Sequence, residues 1–212
     1  MKFALSELID AAYYGGRMVP VVVYGAFGTG KSSYAIQVMK DFYPGDKWRD
    51  YMVFTPQEIV DLVGRLIRED RHIPVMTIDD AGVALYRMDF FQAGVINAIK
   101  WIQVARPYVG SIIFTVPSRE MLVKQVFSLE GLLVGKPVRV SGSAKTQRRI
   151  DLYRNSIAPY NKRFIKQIAE DKFDVMLPDE DFEYYSKVRK GYVKETQRKM
   201  AEDQALKAVI SS

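Results

Sequence analysis

Residues 25–32 read Gly25-Ala26-Phe27-Gly28-Thr29-Gly30-Lys31-Ser32, with glycine first and sixth and a lysine and a serine closing the run. The stretch before it, Met18–Tyr24 (MVPVVVY), is continuously apolar and rich in valine, the pattern of a strand buried on both faces. The stretch after it, Lys31–Phe42, reads as a helix. A buried strand, a glycine turn and a helix together make a cradle for phosphate. Glycines let the loop close tightly, so that successive N–H groups point inward. The helix aims its unpaired donors and partial positive charge at the same place. Lys31 adds a point charge, Ser32 offers a hydroxyl suited to magnesium, and Ser33 follows in the first turn.

Working outward, a helix is expected over 6–14, with Ser6 as its N-cap and Gly15-Gly16 as its end. Tyr51–Thr55 reads as a short strand, Pro56–Asp70 as a helix and Ile73–Ile78 as a second buried strand. Phe90–Val104 reads as a helix, Gly110–Val116 as a strand, Arg119–Phe127 as a short helix and Pro137–Val140 as a fifth strand. Strands alternating with helices point to an α/β fold with a mostly parallel sheet. The pattern then changes. Arg149–Arg154 and Lys162–Ile168 suggest a β-hairpin turning at Asn161 and continuing toward Met176. Pro178-Asp179 opens a long helix in which Phe182, Tyr185, Val188 and Tyr192 recur at helical spacing. The expected organisation is a core over 1–141, a basic hairpin over 142–177 and a C-terminal helix over 178–212.

Two further strand ends carry chemistry. Val75-Met76-Thr77-Ile78 runs into Asp79-Asp80, and Ser111–Val116 carries Thr115 near its end, with Ser118 just beyond. With the glycine loop, these features make residues 18–141 resemble the P-loop NTPase superfamily, through a Walker A motif at 25–32 and a Walker B layout at 75–80. The resemblance implies a three-layer αβα sheet of order 5-1-4-3-2. It implies ATP and Mg2+ as ligands, with Gly25, Ala26, Phe27, Gly28, Thr29, Gly30, Lys31, Ser32 and Ser33 around the nucleotide. Ser32 and Asp79 would hold the metal, Asp80 would polarise the attacking water, and Thr115 or Ser118 would sense the γ-phosphate. Arg106 and Arg119 are candidates for an arginine finger acting in trans, which implies a homo-oligomer or a partner ATPase or helicase.

No Asn-Lys-x-Asp guanine motif and no LSGGQ-like signature occurs. The resemblance is therefore to the additional-strand, catalytic-acid ATPases, AAA-type or RecA-like. A basic hairpin stands where AAA-type proteins place a small helical lid. The segment LPDEDFEYYSKVRKGY (177–192) looks like ATP-binding proteins of archaeal viruses and plasmids.

Composition narrows the remaining possibilities. The 212 residues include no cysteine and one histidine, His72, so disulfide scaffolds, cysteine zinc sites and Ser-His-Asp triads have no material. At 48% hydrophobic and 26% charged residues the chain is of globular type, not disordered. No signal-peptide pattern opens it, and its apolar runs fall short of the ~20 residues of a membrane span, so a cytoplasmic protein is expected. The net charge of +6 lies wholly within residues 136–177, which hold 10 Lys+Arg against four acids. That block carries candidate nucleic-acid contacts at Lys145, Arg148, Arg149, Arg154, Lys162 and Arg163. The expected function is an ATPase acting on DNA, in replication, helicase loading or related remodelling. The alternatives are a genome-packaging or secretion-type motor and a low-turnover nucleotide switch.

Overall fold

The helix α1 (Ala4–Tyr14) begins two residues before Ser6, and Ser6 does not cap it. Ser6 is fully buried and its hydroxyl donates to Asp41 Oδ2 at 2.6 Å. The first backbone donors of α1 are met from far along the chain. Asp171 accepts from Ala4 N at 2.6 Å and Leu5 N at 3.2 Å, placing a carboxylate at the helix's positive end.

The computed structural model describes the backbone of residues 2–86, 88, 92–158 and 162–210, and their side chains except at 155–158, 162–164, 199–200 and 202–210. The turn expected at Asn161 and the start of the helix expected from Phe90 lie outside the described residues. Two compact units result, Met1–Val175 and Met176–Ser212.

The first unit is built on one seven-stranded sheet of order β2-β3-β4-β1-β5-β6-β7. Its strands are β1 (Val19–Tyr24), β2 (Met52–Val53), β3 (Met76–Ile78), β4 (Ser111–Val116), β5 (Leu133–Arg139), β6 (Gln147–Ala158) and β7 (Lys162–Asp174). From β2 to β5 every pairing is parallel, with Val19–Tyr24 set against Ser111–Val116 at the centre. The core order 5-1-4-3-2 is the one the sequence led us to expect. The hairpin is a difference in detail, since β6 and β7 continue the same sheet antiparallel from β5.

Helices cover the sheet. They are α2 (Lys31–Lys40), α3 (Pro56–Arg68), the short α4 (Ala81–Ala84), α5 (Ala93–Val104) and the short α6 (Lys124–Phe127). The start of α3 is fixed by a reciprocal cap, Thr55 accepting from Glu58 N while Glu58 accepts from Thr55 N. Its stripe Ile59, Leu62, Val63 and Leu66 is buried, as the apolar spacing requires. All six residues of β4 are buried, as expected of a strand covered on both faces.

Two elements depart from expectation. The strand β5 starts at Leu133, and Pro137 falls within it. Pairing with β1 stops at Gly135, so the proline, lacking an N–H, sits past that pairing. The helix expected over 119–127 is split into a 3-10 turn, Arg119–Met121, and α6, because Leu122 and Val123 are extended and buried.

The second unit contains α7 (Asp179–Ile210), with Asp179, Glu180 and Asp181 in its first turn. Negative charge there complements the helix dipole.

Candidate nucleotide site

The loop between β1 and α2 is shaped by three glycines with positive φ, Gly25 at 146°, Gly28 at 75° and Gly30 at 89°. At Gly30 the requirement is twofold. Its backbone is left-handed, and a Cβ placed there would lie 2.4 Å from Val175 Cγ1 and 3.1 Å from Phe173 Cε2. The end of β7 and the residue after it thus press on the junction of loop and helix. Ser33 Oγ donates to Val175 O at 2.8 Å and Gln37 Nε2 to Asp174 O at 2.7 Å, fastening α2 to the same segment.

Lys31 is the first residue of α2 and is almost wholly buried. Its ammonium bends back over the loop, donating to Ala26 O at 3.0 Å and lying 5.7 Å from the centre of the Phe27 ring. Thr29 Oγ1 donates to the same carbonyl at 2.9 Å. The Phe27 ring is 75% exposed at the loop surface. The Lys136 stem in β5 runs beside the loop, its Cγ 3.5 Å from where a Gly25 Cβ would be.

At the ends of β3 and β4 the predicted acids and hydroxyls meet. Asp79 is fully buried. Its Oδ1 accepts from Ser32 Oγ at 2.7 Å and from Thr115 Oγ1 at 2.6 Å. Thr115 Oγ1 in turn accepts from Asp80 N at 3.0 Å, so one threonine links the two acids. Asp80 is half-buried and has φ 47°, a left-handed conformation that aspartate adopts more readily than most residues. The Ser118 hydroxyl faces Glu120 Oε2 at 3.5 Å.

The donor set suits magnesium. A buried carboxylate and a hydroxyl in direct contact are hard oxygen donors, and magnesium commonly takes one or two such groups and draws the rest from phosphate and water. Ser32 and Asp79 would hold the ion. No cluster of three or more His, Cys, Asp or Glu occurs among the described residues.

Of the two arginine candidates, one lies near the loop and the other far from it. Arg119 stacks over Tyr24 at 5.7 Å and Phe127 at 5.5 Å, at the loop end of β1. Arg106 lies beyond α5, at the opposite end of the parallel strands, and lines a cleft with Arg17 and Arg154.

The hairpin cations do not share one face. Arg148, Ile150, Leu152 and Arg154 alternate with the more exposed Arg149 and Tyr153. Arg148 Nη1 donates to Lys145 O at 2.7 Å, and Arg149 pairs with Asp151 at 3.2 Å. Lys145 is exposed. The side chains of Lys162 and Arg163 lie outside the described residues.

No family model matches the chain. It is 27% identical over 190 residues to the uncharacterized protein B-251 of Sulfolobus spindle-shape virus 1, covering 81% of this chain and 73% of that one. It is 28% identical over 222 residues to the uncharacterized protein ORF286 of Acidianus two-tailed virus, covering 88% and 74%. Its sequence relatives are archaeal virus proteins.

Among solved structures, the N-terminal domain of zonular occludens toxin from Neisseria meningitidis aligns with TM-score 0.46 at 12% identity, covering 73% of this chain and 95% of that one. The KaiC-like protein PH0186 from Pyrococcus horikoshii aligns at 0.43 and 13% identity, covering 78% and 96%. The genome packaging NTPase B204 of Sulfolobus turreted icosahedral virus 2, in complex with AMPPCP, aligns at 0.37 and 15% identity, covering 72% and 98%. Among the described residues no helix is long and apolar enough to cross a membrane.

Sequence reasoning missed Val175, Phe173 and Asp174 as walls of the site, and Lys136 as a neighbour of the loop. Lys136 was visible only as a charge, because its place beside Gly25 depends on the pairing of β1 with β5.

Proposed function

We propose that this protein is a magnesium-dependent ATPase whose turnover is coupled to DNA. What supports this is the shared carboxylate Asp79, which gathers the hydroxyls of Ser32 and Thr115 at the start of the helix that follows the glycine loop. Loop N–H groups and the start of α2 bind and orient the phosphates, and Lys31 neutralises their charge. Ser32 and Asp79 would hold magnesium, which when bound would supply positive charge against the phosphates. Thr115 positions Asp79 and, through Asp80 N, the neighbouring acid. Asp80 orients the attacking water and takes up its proton. The concentration of the net charge in residues 136–177 supports a second polyanion, DNA, on the hairpin side.

The test is ATP hydrolysis by wild type and Asp80→Asn, with and without single- and double-stranded DNA. Wild-type turnover should rise with DNA, and Asp80→Asn should lower it by about 10²-fold or more while nucleotide still binds. Lys31→Ala should abolish nucleotide binding; retained affinity would overturn the site. ATP turnover indifferent to DNA would remove the DNA coupling and leave the ATPase.

A further inference from the structure

The end of the sheet away from the glycine loop holds a cleft of about 560 Å³. It opens where β1 and β5 begin and is lined by residues from α1, α5, the turn before β5 and the strand β6. Three arginines from three separate segments meet there, Arg17, Arg106 and Arg154, against one carboxylate, Glu130. Arg154 is half-buried, and its Nε is sealed from solvent with no hydrogen-bond partner. A buried guanidinium N–H without an acceptor carries a desolvation cost that a bound acceptor would remove. Directly opposite Arg154 in the sheet stands Lys166, another cation. Like charges facing each other across strands repel, so this end of the ribbon favours an anion.

We propose that this cleft binds a small phosphate-bearing ligand, at a site separate from the glycine loop. The volume falls within the ~300–1,000 Å³ of small-molecule sites. Guanidinium forks match phosphate oxygens in pairs, which lysines cannot do. The floor is apolar, with Leu8, Ala12 and Val19 among the lining residues, so the ligand carries a non-polar body beside its phosphate. A partly enclosed cleft lined by three arginines suits a small anion better than a strand running past. Arg17 and Arg106 are exposed, so the ligand enters past them and its phosphate reaches Arg154.

The probe is inorganic pyrophosphate, titrated by calorimetry into the full chain carrying Lys31→Ala, which removes the competing phosphate site at the loop. One pyrophosphate should bind. Adding Arg17→Ala or Arg106→Ala should each weaken it by about tenfold or more. Raising salt should weaken binding in the parent variant. Both arginines are exposed, so the thermal midpoint without pyrophosphate should not move, which separates ligation from folding. In the otherwise wild-type chain, the same substitutions should leave ATP-analogue affinity unchanged. No pyrophosphate binding to the Lys31→Ala chain, or equal affinity in the arginine variants, overturns the proposal. A second arm uses a deoxythymidine decamer. If the decamer binds through Arg17 and pyrophosphate does not bind at all, the cleft reads a nucleic-acid strand and the small-ligand proposal fails. The readouts do not pass through ATP turnover, so the cleft can fail while the nucleotide site stands, and the reverse.

Discussion

Gly30 shows how much one missing side chain can carry. Its left-handed backbone and the 2.4 Å approach of Val175 Cγ1 leave no room for a methyl group. Gly30→Ala should destabilise the protein by about 1–3 kcal/mol, seen as a lower urea midpoint with an unchanged slope. It should also weaken nucleotide binding, since the loop and the helix start move together. An unchanged midpoint would mean that Val175 yields freely. The need for glycine at this position was legible in the loop motif. The partner that enforces it was not, because Val175, just past β7, lies 142 residues beyond Ser33, whose hydroxyl bonds to its carbonyl. Asp79 and Thr115 were legible because each ends an apolar run. Their direct hydrogen bond depends on β3 and β4 being neighbours, which the resemblance supplied and the residues alone did not.

At the scale of elements, Asp171 ties three together. It sits on β7, accepts two backbone donors of α1, and accepts the Tyr34 hydroxyl of α2 at 2.6 Å. Burial, reinforced by the Asp171 carboxylate, raises the Tyr34 hydroxyl well above the ordinary tyrosine range, so it stays a donor at any working pH. Asp171→Asn keeps the size, loses the charge and pairs fewer donors. It should cost about 1–3 kcal/mol in chemical denaturation. A loss within error would show that water replaces the carboxylate. Ser6 offered a local capping signal and Asp171, 167 residues from Ala4, offered none. Local pattern therefore found the helix and misplaced its cap.

The ribbon of β6 and β7 teaches a related lesson about charge. A basic block was legible, but alternation and bonding divide its arginines between a cleft, the backbone and Asp151. Exposed cations outside these contacts include Arg139, Lys145 and Lys172. Replacing those three with alanine should lower the slope of log affinity for DNA against log salt by about 2 for a single strand and about 3 for a duplex, if each neutralises a phosphate. Anisotropy titrations over a salt series would show it; a parallel line would place DNA elsewhere.

For the whole molecule, the α/β alternation was readable because each buried strand is short, apolar and bounded by turns, whereas the central strand order came only from the resemblance. Attachment of the hairpin to the same sheet was not readable, since an antiparallel ribbon looks alike in sequence whether it stands free or joins β5. Arg119 is a cation at the loop end of β1, stacked on Tyr24. Acting across to a neighbouring copy, it would stabilise charge during hydrolysis. Arg119→Ala should then cut turnover on the order of 10³-fold with ATP affinity kept. Wild-type specific activity should climb with protein concentration as copies assemble. Turnover that is independent of concentration and insensitive to Arg119 would argue for a protomer working alone.

Because the hairpin shares a sheet with the glycine loop, the molecule has a load path. A pull on β6 or β7 passes into β5 along its full length, Leu133–Arg139. From β5 it can reach β1 only through Leu133–Gly135 against Val21–Val23. That short seam ends one residue before Tyr24, and Gly25 follows. Strain carried along the sheet is therefore focused at the root of the glycine loop, in addition to the direct ties from the β7 side to α1 and α2, and a small tilt of β5 would carry Lys136 with it.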